Sequence, residues 1–200
     1  MEITNINQLD LNGTYSFADY LTWKFTETVE LLRGKIARMA APIWQHQSIL
    51  GEIHLELGFF LRNKPCRLFI APTDVRLPRK TADANEQVFT VVQPDIFVLC
   101  NENKQYSKLN GWVGIPDLVV EIVSPSTRKR DLYEKKEIYE EAGVREYWVV
   151  FPLESMLFQF VLENGAYSFP KILVENDLVQ CAIFPDFTLD LQQVFKVLEE

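Results

Sequence analysis

Two acidic residues and a lysine stand where a fold can bring them together. Asp95 directly follows Pro94, Glu121 lies inside the apolar run Val119-Val120-Glu121-Ile122-Val123, and Lys135 belongs to the segment after it. A carboxylate in the middle of such a run must face a desolvated interior or leave at a sheet edge, and burying it unpaired costs several kcal/mol. Something has to compensate that charge. One possibility is a buried ion pair with a lysine or arginine; the other is a divalent cation held jointly with Asp95. A hard cation such as Mg2+ accepts one or two carboxylates, keeps several waters and leaves room for a phosphate oxygen. It makes a bound water more acidic, while a nearby ammonium group orients that water or offsets charge growing on the phosphate. Lys135 is the candidate for the ammonium.

Each of these residues also has a plainer reading. Pro-Asp is a common turn dipeptide, so Asp95 could simply end a turn. Most lysines sit on solvated helix faces, and Lys136 competes with Lys135 for any role. Helical phase separates the two. Asp131, Lys135 and Tyr139 fall at i, i+4 and i+8, on one stripe that can face the strand carrying Glu121. Lys136 lies roughly 100° further round the axis.

The elements that must position these groups can be read from periodicity and turn chemistry. Residues 1–14 read as loosely ordered. Ser16 can cap a short helix reaching Phe25, and Glu30 to Met39 reads as two strands turning at Arg33-Gly34. From Ile43 to Leu61, Ile49, Ile53, Leu57, Phe60 and Leu61 recur every three to four positions, which predicts an amphipathic helix stopped by Asn63-Lys64-Pro65. Arg67 to Leu77 and Val88 to Leu99 are predicted as strands around an exposed loop from Pro78 to Gln87, and Asn101 to Trp112 as a second loop. Asp117 to Val123 is nearly all apolar, which suits a central strand covered on both faces. A helix follows from Lys129 to Ala142, capped by Gly143, and then a strand from Glu146 to Phe151. Met156 to Leu162 and Tyr167 to Val174 flank a turn at Asn164-Gly165. A strand near Leu178 to Ile183 and a helix from Leu191 complete the pattern.

The bulk composition supports one sizeable core, and a single domain over residues 1–200 is the expectation: 48% of the 200 residues are hydrophobic and 12% aromatic. The formal net charge of −8 repels a phosphate backbone and counts against a general nucleic-acid binder. Arg128, Lys129, Arg130, Lys135 and Lys136 nevertheless form a basic cluster beside the candidate site. Cys66, Cys100 and Cys181 are widely spaced and odd in number, so buried free thiols are expected rather than a disulfide framework or a thiolate zinc site. The first residues lack a basic and an apolar leader region, and no apolar run approaches the roughly 20 residues that span a bilayer. A cytoplasmic protein that does not enter a membrane is expected.

A longer set of residues carries a resemblance. Gln93-Pro94-Asp95-Ile96, Pro116-Asp117-Leu118-Val119-Val120-Glu121-Ile122-Val123-Ser124-Pro125-Ser126-Thr127, then Asp131, Lys135, Tyr139, Gly143-Val144 and Glu146-Tyr147-Trp148, resemble the Uma-two family. That family consists of restriction-endonuclease-like proteins of the PD-(D/E)XK nuclease superfamily. The likeness reaches back to Glu30-Leu31-Leu32-Arg33-Gly34-Lys35 and His46, and forward to Pro185-Asp186-Phe187. It implies an α/β restriction-endonuclease-like fold: a mixed central sheet flanked by helices, here with an added N-terminal hairpin and C-terminal strands. It further implies a Mg2+- or Mn2+-dependent endonuclease acting on DNA, with metal at Asp95, Glu121 and the backbone carbonyl of Ile122. Glu30, His46, Asp131 and Tyr139 are supporting positions.

Two departures from the superfamily pattern stand out. Its usual lysine lies two residues after the glutamate, where this chain has Val123, which neither carries charge nor donates a hydrogen bond. In similar family members a lysine from the next helix replaces it, which points to Lys135. Phe151-Pro152 stands where many similar sequences have Asp-Pro. Fold alone does not settle activity, so a catalytically inactive interaction module is the alternative. Exposed sheet edges and the aromatic stretch from Trp148 to Phe160 suggest a homodimer.

Overall fold

A computed structural model describes residues 2–39, 41–79, 83–100, 106–107 and 111–198. The chain divides into two compact units, and it crosses between them several times. The first comprises Met1–Ala41, Thr73–Gln93 and Lys104–Ile115; the second comprises Pro42–Pro72, Pro94–Asn103 and Pro116–Glu200.

In the first unit, Asn5 caps a short 3-10 turn, Ile6–Gln8, in which Ile6 is buried. Ser16 caps the helix Phe17–Tyr20 through a reciprocal bond with Asp19, but the helix ends well short of Phe25. Strands Val29–Leu32 and Lys35–Arg38 form the expected hairpin, turning through Arg33 and Gly34, whose φ angles are 50° and 85°. A left-handed pair of this kind matches the strand twist, and glycine adopts it without steric cost. The six-stranded sheet runs in the order Lys35–Arg38, Val29–Leu32, Val91–Val92, Val75–Arg76, Gly111–Val113, Tyr106–Ser107.

The second unit is built on a mixed sheet in the order Ala166–Tyr167, Met156–Glu163, Glu146–Phe151, Leu118–Ile122, Ile96–Leu99, Arg67–Ile70, with Lys171–Val174 also paired to Met156–Glu163. Leu118–Ile122 runs parallel to Glu146–Phe151 and antiparallel to Ile96–Leu99. All five of its residues are buried, as a central strand requires. Leu118, Val120 and Ile122 join Ile96, Val98, Trp148 and Val150 in a core covered by helices Trp44–Leu61 and Leu191–Lys196. Strand alternation therefore commits Val119 and Glu121 to the opposite face. A two-stranded sheet pairs Leu178–Gln180 with Thr188–Asp190.

Several expectations need correction. Arg67 to Leu77 is not one strand: Arg67–Ile70 and Val75–Arg76 belong to different sheets, with Pro72 between them. Val88 to Leu99 divides likewise into Val91–Val92 and Ile96–Leu99, and the break falls at Gln93-Pro94-Asp95. Proline lacks the ladder donor and restricts its predecessor, so each division sits beside one. Within the span predicted as a loop from Asn101 to Trp112, Tyr106–Ser107 and Gly111–Val113 are strands; residues 101–105 and 108–110 lie outside the described residues, as do 80–82 of the earlier loop.

Cys66 and Cys100 are joined in a disulfide, contrary to the expectation of free thiols. Arg67 pairs with Leu99 at the end of an antiparallel ladder, and one step further sets the two cysteines opposite each other. Cys181 is free and buried as expected. Trp148 to Phe151, Leu157 and Phe160 are all buried, so most of the stretch expected to support dimerisation is interior. Among the described residues, no helix is long and apolar enough to cross a membrane.

Candidate active site

Strand register brings the two acidic residues together. Ile96 pairs with Val120 and Phe97 with Val119, so extending that antiparallel ladder by one residue sets Asp95 opposite Glu121. Residues directly opposite in such a ladder present their side chains on one face, with Cβ atoms roughly 5 Å apart. Asp95 is 9% exposed and Glu121 4% exposed. Oδ2 of Asp95 accepts the backbone N–H of Ile122 at 2.7 Å, locking the carboxylate to the strand that carries Glu121. Nε2 of His46, from the first turn of Trp44–Leu61, lies 3.1 Å from the same oxygen. His46 Nδ1 is buried without a hydrogen-bond partner among the described residues.

On the Glu121 side, Oε1 accepts from Lys135 Nζ at 2.8 Å and from Tyr139 OH at 2.7 Å. Lys135 Nζ also lies 3.9 Å from Asp131 Oδ1. Lys136 is engaged elsewhere: its Nζ lies 3.4 Å from Glu140 Oε2 and 5.7 Å from the ring centroids of Phe160 and Tyr167. The stripe Asp131, Lys135 and Tyr139 thus faces inward, while Tyr133 is exposed.

The segment holding Lys135 is not a plain α-helix. Ser124-Pro125-Ser126-Thr127 forms a capped turn in which Ser124 N–H donates to Thr127 Oγ1 at 3.0 Å. Arg130–Lys135 then forms a π turn, followed by the α-helix Lys136–Ala142, which ends at Gly143 with φ 82°. A π turn shifts backbone bonding from i→i+4 to i→i+5, and such turns are frequent at functional sites. The Asp131 carbonyl accepts the Tyr147 hydroxyl at 3.0 Å. Burial, with Glu121 and Asp131 adding negative charge, holds the Tyr147 hydroxyl protonated well above the ordinary tyrosine range.

Sequence reasoning missed Tyr147 as a support for this turn. The available signal was alternation: Tyr147 pairs with Val119 in the parallel ladder, on the face shared with Glu121. Glu30 belongs to the first unit, where it is buried and accepts the backbone N–H of Gln93 at 2.8 Å. In the same unit, Asp74 Oδ1 accepts Gln93 Nε2 at 2.7 Å and Tyr20 OH at 3.0 Å. Burial first, and Asp74 second, raise the Tyr20 hydroxyl far above its usual pKa.

Whether these residues suit a divalent cation depends on their donors. No group of three His, Cys, Asp or Glu side chains among the described residues is arranged to hold a metal ion. A hard cation of the Mg2+ kind needs only one or two carboxylates and completes its shell with carbonyls and water. Asp95 and Glu121 supply oxygen donors, and Asp95 Oδ1 takes no hydrogen bond from the described residues, both contacts of that side chain falling on Oδ2. That donor set fits an oxygen-seeking cation and excludes a thiolate or multi-imidazole zinc site.

Comparison with known proteins agrees with this architecture. A family model named Uma2, described as "Putative restriction endonuclease", matches residues 17–192. A crystal structure of a protein from Anabaena variabilis ATCC 29413, described as "a putative nuclease belonging to DUF820", aligns with TM-score 0.72 over 92% of this chain and 99% of that one. The two sequences are 19% identical, so the likeness speaks for the fold. No curated protein matches the chain.

Proposed function

From the premise that the chain belongs to the Uma2 family, we propose that it is a divalent-metal-dependent nuclease hydrolysing phosphodiester bonds of DNA. The observation that carries this reading is that Asp95, one residue before the strand Ile96–Leu99, accepts the amide of Ile122 next to Glu121, while the buried ammonium of Lys135 lies 2.8 Å from the Glu121 carboxylate. A fold alone would not require all three.

Asp95, Glu121 and the Ile122 carbonyl would hold the cation, Mg2+ or Mn2+, which when bound supplies Lewis acidity toward the phosphate and lowers the pKa of water. Lys135 brings a positive charge into a buried setting where such charges act more strongly than in water. It stands in for the lysine that the superfamily places where this chain has Val123. His46 and the Ile122 amide fix the Asp95 carboxylate, and Tyr139 fixes Glu121. Tyr147 holds the turn that carries Lys135.

Substitution of Asp95 by alanine tests the proposal directly. Calorimetry should record heat of Mn2+ binding in the unchanged chain and none in Asp95→Ala, and cleavage of plasmid DNA should fall by orders of magnitude in a variant that still folds. Equal cleavage by both proteins would refute the assignment.

A second reading has one observation in its favour. The Glu121–Lys135 pair already neutralises the buried carboxylate, as a purely structural ion pair would, and the net charge is −8. Under that reading the domain is an interaction module, Mn2+ gives no heat, and Asp95→Ala changes neither DNA cleavage nor partner capture.

A further inference from the structure

The helix that carries Lys135 is charged against its own dipole. Helical backbone runs without a break from Arg128 to Ala142; Arg128, Lys129 and Arg130 open it, and Glu137, Glu140 and Glu141 occupy its last turns. A helix N-terminus carries partial positive charge and favours acidic side chains, so cations there and anions at the far end both work against folding. The pattern does not serve the helix.

Topology fixes where the basic end lies. Leu118–Ile122 and Glu146–Phe151 are parallel strands, so the helix between them starts where the first ends and runs back to where the second begins. Glu121 and Ile122 are the last two residues of the first strand, and Asp95, bonded to the Ile122 amide, precedes the antiparallel strand Ile96–Leu99. The candidate site is therefore at the end of the sheet where the helix starts. Arg128 agrees with this placement: it pairs with Glu154, just past the end of Glu146–Phe151, and its guanidinium carbon lies 5.0 Å from the Phe151 ring centroid.

The basic cluster then separates by task. Lys135 is buried on Glu121, and Lys136 lies 3.4 Å from Glu140. Arg130 is half-buried, and Arg128 keeps 47% of its side chain exposed despite its pair with Glu154. Lys129 is exposed, and its ammonium has no hydrogen bond or ion pair among the described residues. In a chain of formal charge −8, three consecutive cations beside the site complement a polyanion and little else on this surface.

We propose that the segment Arg128–Arg130 is the surface on which the backbone of a DNA duplex lies, with the Lys129 ammonium at a phosphate oxygen. The inference rests on the nuclease reading above and adds a contact that positions the substrate without entering the chemistry.

Anisotropy of a fluorescent duplex in EDTA measures binding without cleavage. Losing one phosphate contact lowers the slope of log affinity against log salt by about 0.9. Between about 50 and 200 mM salt the unchanged chain should accordingly lose about three times more affinity than Lys129→Ala. Lys129→Arg should keep the full slope, and so should Lys171→Ala, an exposed lysine three strands away from Leu118–Ile122. Lys129→Glu should bind more weakly still yet melt no lower, because it puts an anion where the helix favours one. If Lys129→Ala keeps the full slope, or Lys129→Glu lowers Tm, the proposal is overturned and the nuclease reading is untouched. A duplex that stays unbound at low salt overturns the proposal as well, and Mn2+ calorimetry of the unchanged chain against Asp95→Ala then decides the nuclease reading separately.

Discussion

Glu121 shares one oxygen between two donors, and they differ in kind. Lys135 brings charge, whereas Tyr139 brings a neutral hydroxyl. Deleting the lysine removes the cation that lies 2.8 Å from a buried carboxylate, which costs about 3 kcal/mol. Deleting the hydroxyl forfeits a hydrogen bond to a charged group, about 1.5 kcal/mol. Urea denaturation should therefore rank Lys135→Ala as more damaging than Tyr139→Phe, while Lys136→Ala, a partly exposed pair, should stay within about 0.5 kcal/mol of the unchanged chain. DNA cleavage should fall about 10²–10³-fold in Lys135→Ala and scarcely in Lys136→Ala; an equal fall in both would remove Lys135 from its assigned role. Elsewhere in the second unit Glu146 gathers donors instead of cations: its Oε2 accepts from Cys181 Sγ and from the backbone of Ala182 and Ile183. Burial first, and Glu146 second, raise the Cys181 thiol far above its ordinary pKa. Because the folded value lies above the unfolded one, this contribution to stability is complete below the unfolded thiol's pKa and is lost progressively as pH rises from that value through the folded one. At pH 8 iodoacetamide should accordingly leave the native protein unlabelled and modify Cys181 once guanidinium unfolds it. Labelling of the native chain would contradict that burial.

At the scale of elements, Glu121 and position 123 share a face, because side chains alternate along a strand. The ladder continues past Ile122, since Val123 N–H donates to the Val150 carbonyl at 2.9 Å. A lysine at position 123 would rise beside the carboxylate, where the superfamily pattern expects one. The double variant Val123→Lys, Lys135→Ala should then recover at least tenfold of the cleavage lost in Lys135→Ala alone. No recovery, in a variant that melts like the single one, would mean that the helix supplies more than charge. The same alternation explains what could be read in advance. The central strand and the helix Trp44–Leu61 were legible because one is continuously apolar and the other repeats every three to four residues. Arg67 to Leu77 and Val88 to Leu99 each looked like one strand, because branched residues report a pleated, half-buried surface and not which sheet provides it. Only Pro72 and Pro94 hinted at the divisions. Thr188–Asp190 was missed for its shortness. Asp95, Glu121 and Lys135 were legible as a motif; of the two neighbouring lysines, Lys135 lies 2.8 Å from Glu121 and Lys136 lies 3.4 Å from Glu140. Tyr147 was not legible, because its bond to the Asp131 carbonyl depends on a parallel register and a π turn that residue types do not encode.

For the whole molecule, chain path matters more than composition. The backbone leaves the second unit after Pro72 and returns at Pro94, so the Thr73–Gln93 segment of the first unit lies within the loop that the Cys66–Cys100 disulfide closes. Three widely spaced cysteines gave no sign of this; the pairing follows from the register of Arg67–Ile70 against Ile96–Leu99. Closing a loop of 34 residues' separation removes freedom from the unfolded chain, and the chain-entropy relation puts the gain at roughly 4 kcal/mol. For a protein of this size that corresponds to a melting shift of roughly 10 °C. Reduction with a phosphine should lower Tm by that amount, and a Cys66→Ser, Cys100→Ser chain should melt at the lower temperature whether or not reductant is present. The control ties the shift to the cross-link, because Cys181, present in both proteins, is a free thiol with nothing to reduce. If thiol titration of the unfolded, unreduced chain found three free cysteines rather than one, the cross-link would not form under those conditions. The two-stranded pairing would then have to hold the edge of the sheet by hydrogen bonds alone.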